Sequence, residues 1–248
     1  MTTLTSHIAS HRLSVLARAT ALTIVLATTT VAAPSLAPIA NHTAATAGSG
    51  TTTTQTSTTI PADFRGFVLW AADDIDAYWE SVYGAGGTFV RPEVTFFVDP
   101  IATPCDANAT PEEGPFYCQN VVYVPEAWFA ADAARTNDFA IAYVMAHEIG
   151  HDVQDTQGIL ASLNNGIITS VQTELQADCL AGVWAASANR RGMLSTGDYE
   201  EATQLATTIG DDYLGFQPAD YTHGTSAQRV AWFNYGFQMA DGTTCRTY

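Results

Sequence analysis

Residues 147–151 read His-Glu-Ile-Gly-His, and Glu174 and Asp178 follow inside the string ELQAD. These are the residue types that bind a divalent ion and move protons beside it. On a helix, positions four apart share a face, so His147 and His151 can aim ring nitrogens at one ion. Glu148 sits one position round and reaches a water near that ion rather than the ion itself. A catalytic zinc takes three protein ligands and leaves the fourth position open. Glu174 supplies the third. Asp178 shares the Glu174 face and can accept the outer N–H of a ligand histidine, His147 in our reading, which fixes its tautomer. Asp152 and Asp155 follow His151 but point to other faces of its helix, so they are excluded as ligands. An acidic pair on a helix is ordinarily solvated surface. Here the helix is almost uncharged until Arg190, which favours a buried role.

The chemistry this set supports is metal-assisted hydrolysis of an amide. One Zn²⁺ per chain would activate a water, with Glu148 as general base returning the proton to the leaving amine. The oxyanion needs a further donor. His223 is the first choice, ahead of Tyr221 and Tyr123. The alternative is that His223 only leads into a helix capped by Thr225 and Gln228.

The elements that must hold these groups are mostly helical. Phe139, Ile141, Tyr143, Val144, Ala146, Ile149 and Val153 form a broad apolar face, with Asn137 or Asp138 able to cap its start and Gly158 beyond its end. Two histidines and a glutamate buried on such a helix need partners, and a metal supplies them. Residues 171–188 (VQTELQADCLAGVWAASA) predict a second helix, and Asp155–Gly166 a connecting loop at the cleft mouth. An earlier helix runs from Pro61, with Phe64, Phe67, Val68, Ala71, Ile75, Tyr78, Trp79 and Val82 spaced by three or four, and glycines from Gly84 stop it. Val94–Val98 and Val121–Val124 read as strands, and 126–133 as a short helix. A helix is expected from near Thr196, capped by Ser195 or Thr196. The last runs from Ser226 to Met239 and buries Val230, Trp232, Phe233 and Phe237. The expected fold is α+β and mostly helical: a zincin-like catalytic domain with a small sheet beside the HExxH helix.

Several separate blocks together resemble one family. GPFYC, HEIGHDVQ, ELQADCLAGVWA, GDDYL and THGTSAQRVAWFNYGF occur in that order. They are similar to the neutral zinc metallopeptidase family of bacteria, over residues 114–248. More distantly, HExxH with a downstream ExxxD resembles the gluzincin peptidases, whose pattern implies two histidines and a glutamate as ligands. Asp152 departs from many family members, which carry histidine there. The resemblance also implies a strand beside the HExxH helix that pairs with extended substrate, for which Val121–Val124 is the candidate edge.

Composition bears on compartment. Residues 1–18 hold His7, His11, Arg12 and Arg18 and no acid, and the apolar stretch Ala19–Ala33 is short and diluted by threonine. Residues 1–47 therefore read as a signal peptide or N-terminal anchor, with small-residue exits near Ala33 and at Ala45–Ala47. Residues 48–60 read as a Thr/Gly/Ser linker, and 61–248 as the catalytic domain. The first cysteine is Cys105, far from any lipid-attachment position. Formal net charge is −16, every acid lies at or after Asp63, and there is no lysine, a balance that excludes nucleic acid and anionic membranes as partners. Four cysteines with a secretion signal suggest two disulfides. Cys105 and Cys118 flank a short loop worth about 3 kcal/mol when closed, leaving Cys179 with Cys245.

The expected protein is a secreted zinc peptidase cutting polypeptides, or the same enzyme anchored facing outward. The competing readings are a zinc hydrolase of a non-protein amide such as a cell-wall crosslink, and a metal-bearing scaffold that cuts nothing. An intact Glu148 argues against the scaffold.

Overall fold

The computed structural model describes residues 63–86, 89–133 and 138–246. The proposed leader and linker, Pro61 and Asn137 lie outside them. Helix α1 spans Phe64–Tyr83 and starts at an Asp63 cap, whose carboxylate accepts from the Gly66 N–H at 2.8 Å. Of the stripe its spacing predicts it buries Phe67, Val68, Ala71, Ile75 and Trp79, with Ala72 and Asp76 beside them; Phe64 and Tyr78 are half-buried, and Val82, in the last turn, is exposed. Helix α2 is Glu126–Ala133. Helix α3, Asp138–Thr156, carries HExxH and is buried along nearly its whole length. Helix α5, Ser170–Arg190, begins at a capping box of Thr169 and Gln172. Between them the expected loop contains a short helix, α4, Ile159–Asn164.

Helix α6 is Asp198–Thr208 and starts later than expected. Its cap is Gly197 in the left-handed region, while Asp198 accepts from the Ser195 N–H instead of Ser195 or Thr196 capping the helix. Helix α7, Ser226–Met239, has its Thr225–Gln228 capping box. It fully buries Phe233, but Val230, Trp232 and Phe237 only in part, and it buries Arg229, a charge that apolar periodicity does not anticipate.

The sheet has three strands in the order β1, β3, β2: β1 is Glu93–Phe97, β2 Phe116–Cys118 and β3 Val121–Pro125. β1 and β3 run parallel and β2 and β3 antiparallel. This corrects the expected substrate edge. Val121–Val124 is the central strand, with both sides paired, so it offers no free main-chain groups. The open edge next to α3 belongs to β2. That strand escapes sequence reading because it is three residues long. Its hairpin turn uses Gln119 and Asn120, both at positive φ (47° and 65°), rather than a glycine.

α5 and α7 cross at bare backbone. A Cβ on Gly182 would stand 2.1 Å from the Phe233 carbonyl oxygen, and one on Gly236 would stand 1.9 Å from that of Cys179. Any side chain at either point would force the helices apart. Disulfides join Cys105 to Cys118 and Cys179 to Cys245, so the second also fixes the chain after α7 to α5.

Where α1 meets α3, Asp76 Oδ1 and Asp152 Oδ2 are buried without hydrogen-bond partners. Burial pushes Asp76 up to about 7, Arg91 opposing and Asp152 adding to the rise. Burial likewise lifts Asp152 to about 6. A carboxyl whose folded pKa lies above its unfolded value favours folding at acid pH, and that contribution is lost as pH rises through the folded value. Asp76→Asn is therefore expected to raise the melting temperature by several degrees at pH 8, from about 2–4 kcal/mol of relieved ionisation cost, and by much less at pH 5. Thermal melts at both pH values check this.

Candidate metal centre

α3 and α5 bring His147, His151 and Glu174 together, each offering one donor atom within 4.8 Å of the others. His147 Nε2 lies 3.1 Å from Glu174 Oε2, and His151 Nε2 lies 3.4 Å from Glu174 Oε1. Ligands about 2.0–2.1 Å from a tetrahedral zinc are separated by about 3.3 Å. Both histidine–glutamate separations lie near that value, and the nitrogen–carboxylate donor set suits zinc.

Each imidazole is oriented from behind. His147 Nδ1 lies 2.8 Å from Asp178 Oδ1. A carboxylate only accepts, so Nδ1 carries the proton and Nε2 keeps its lone pair for the ion. Asp178 is fully buried and also accepts from the Tyr143 hydroxyl at 2.6 Å, and from Arg229 Nε and Nη2 at 2.9 Å each. Burial works to raise its pKa, but the Arg229 guanidinium and His147 hold it below the ordinary value. Burial also works to raise Glu174, and the charges of His151 and His223 with the hydrogen bonds of both paired histidines hold it well below the usual range. For His147, burial alone would lower the pKa; the neighbouring Asp178 and Glu174 raise it to about 10 when side chains alone are considered. Protons and a cation thus compete for the same nitrogens.

Glu148 is buried and faces the same cleft. Burial raises its pKa, the two histidines opposing, which suits a group that must take a proton and return it near neutral pH. His223 also lines the cleft. Its Nδ1 lies 3.2 Å from Asp211 Oδ1, while Asp211 Oδ2 accepts the backbone N–H groups of Thr222, His223 and Gly224 at 2.7–2.9 Å. The loop is wrapped round one buried carboxylate that turns the imidazole, leaving Nε2 as the free nitrogen. Of the poorer candidates, Tyr123 stacks on Phe116 in the sheet, and neither it nor Tyr221 lines the cleft.

The cleft encloses about 500 Å³. Its lining includes β2 and Trp128, Leu160 and Leu163 of α4, and Ile209 and Leu214.

Sequence reading assigns no contact in the site to four residues: Tyr143, Gln154, Asp211 and Arg229, the last noticed only for following His223 by six positions, as in other ExxxD metallopeptidases. Tyr143 counts as one more apolar-face residue until its hydroxyl is seen on Asp178. Arg229 had a signal, being a lone arginine on an otherwise apolar helix face. Gln154, three residues after His151, bonds its Nδ1 at 2.8 Å.

A family model described as putative neutral zinc metallopeptidase matches residues 12–248. The chain belongs to that family. Among its relatives is the uncharacterized protein YpfJ of Escherichia coli K12, 36% identical over 210 residues, covering 75% of this chain and 71% of the relative. Another is the uncharacterized protein Rv2575 of Mycobacterium tuberculosis H37Rv, 34% identical over 207 residues, covering 73% and 69%. No solved structure matches the chain significantly. Family membership implies zinc and hydrolytic chemistry at a centre of this kind. The mostly helical α+β architecture agrees with the fold expected from the sequence. No helix among the described residues is long and apolar enough to cross a membrane.

Proposed function

We propose that the protein is an extracytoplasmic zinc peptidase whose catalytic domain spans residues 61–248 and which cuts polypeptides bound along β2. The observation that carries this reading is the trio of donor atoms within 4.8 Å of one another, lining a cleft that Glu148 and His223 also line. His147, His151 and Glu174 would hold the ion, with Asp178 fixing His147. Zinc there supplies a Lewis acid that polarises a carbonyl and makes water a nucleophile near neutral pH. Glu148 takes the proton from the attacking water and delivers it to the departing amine. With both ring nitrogens protonated, His223 would keep its Nδ1–H on Asp211 and donate its Nε2–H to the oxyanion as it develops. The open main-chain edge of β2 aligns an extended substrate by strand addition, which gives affinity without demanding a particular sequence. Two disulfides support a site of action outside the reducing cytoplasm.

Purified protein, metal-loaded and then chelated, is incubated with denatured casein and separately with cell-wall fragments. Chelator-sensitive cleavage of casein is expected. Cleavage of cell-wall fragments alone would move the substrate class to a non-protein amide, and cleavage of neither by zinc-loaded protein would sink the enzyme reading. In the casein assay His223→Ala should lower kcat by about 10²–10³, as loss of one oxyanion donor does, with zinc affinity unchanged. Unaltered kcat would reduce His223 to a loop residue.

A further inference from the structure

Gln154 is one of the few fully buried polar side chains, and its three hydrogen bonds have a forced direction. Its Nε2 lies 2.7 Å from the Thr173 carbonyl oxygen and 3.0 Å from Gln176 Oε1. A carbonyl only accepts, so the amide nitrogen must face Thr173. The amide oxygen then faces His151, 2.8 Å from Nδ1. An acceptor at that distance requires the proton on Nδ1 and leaves the lone pair on Nε2, the nitrogen facing Glu174.

Gln176 is oriented the same way one step further out. Its amide nitrogen donates to the Cys245 carbonyl, so its oxygen is the atom left for Gln154. Cys245 is held in place by its disulfide to Cys179 on α5, the same helix that carries Gln176. The hydrogen-bonded chain therefore runs from one backbone carbonyl near the carboxy end, through two amides, to the second imidazole of the HExxH pair.

We propose that Gln154 is a positioning residue that sets the His151 tautomer for metal binding, with Gln176 and the disulfide-held Cys245 carbonyl as its outer support. The inference rests on the metal-site reading above. His147 is oriented by a carboxylate and His151 by an amide. The neutral partner gives direction without placing a second buried anion behind the site.

The test is zinc affinity, by competition with a chromophoric chelator, together with apo-protein melting temperature. Both are read on the full chain with disulfides intact. Gln154→Leu removes the acceptor and should weaken zinc binding by about 10–100-fold, the usual cost of losing a partner behind a ligand. Gln154→Glu keeps an oxygen towards His151 but turns its other oxygen on the Thr173 carbonyl and Gln176. It should therefore lose thermal stability while holding zinc within about threefold of wild type. Gln176→Leu removes the outer support but leaves the His151 and Thr173 bonds in place, and should weaken zinc binding measurably but by less than Gln154→Leu does; no change at all would remove Gln176 and the Cys245 carbonyl from the proposal. A residue that merely packs would lower stability in both Gln154 variants without separating their zinc affinities. Equal affinity of wild type and Gln154→Leu overturns the proposal. A tenfold or greater loss in Gln154→Glu also overturns it, and that measurement decides the matter should the leucine variant fail to fold. If the wild-type protein itself binds no zinc, the metal reading falls and this inference with it.

Discussion

Glu148→Gln is expected to cut kcat/KM on casein by a factor of about 10³ or more while leaving zinc binding intact. The substitution keeps shape and hydrogen-bonding reach but removes the carboxylate that, in the proposed mechanism, takes a proton from the attacking water and hands it on. General acid–base catalysis contributes about 10²–10⁴ to rate, and the proposed mechanism uses Glu148 in both directions. Its carboxyl lies in the cleft with a pKa raised by burial, and none of the three proposed ligand contacts involves it. Steady-state kinetics beside a zinc titration gives the answer. Retained turnover at full zinc occupancy would take Glu148 out of the mechanism.

Asp178→Ala should damage the protein twice over. Arg229 is almost wholly buried, and Asp178 accepts two of its hydrogen bonds, at 2.9 Å each. Removing one member of a buried pair leaves an uncompensated charge and costs about 3–5 kcal/mol. The Tyr143 hydroxyl loses its acceptor as well. Separately, His147 loses the group that fixes its tautomer, which should weaken zinc binding by about 10–100-fold. The two effects can be parted. Adding Arg229→Met to Asp178→Ala removes the stranded charge and should recover much of the melting temperature, yet none of the zinc affinity. Equal recovery of both would show that Asp178 acts on the metal only through overall stability.

These two expectations differ in how far the sequence foreshadows them. His147, Glu148 and His151 announce themselves because helix periodicity turns a five-residue string into a face. Glu174 and Asp178 follow by the same rule, since their helix carries little other charge. The long amphipathic helices α1, α3 and α7 are legible for the same reason: burial repeats every three or four residues. What stays hidden is whatever depends on pairing between distant segments. Arg229 meets Asp178 across 51 positions and Gln176 meets the Cys245 carbonyl across 69. No local period encodes such meetings. β2 is too short to show alternation, and once it is missed β3 is mistaken for an edge. Gly182 and Gly236 look like weak points in their helices until the crossing shows that only a missing side chain fits.

The long reach of these contacts bears on when the proposed centre is completed. His147 and His151 emerge a little past the midpoint of the chain, and the arginine that steadies Asp178 and the carbonyl at the end of the amide relay come some eighty to a hundred positions later. A nascent chain holding HExxH alone has neither brace, and the outer one also waits for an oxidant to close Cys179 onto Cys245. On the proposed reading, the centre is fully braced only once the chain has reached Cys245 and that cysteine has been closed onto Cys179.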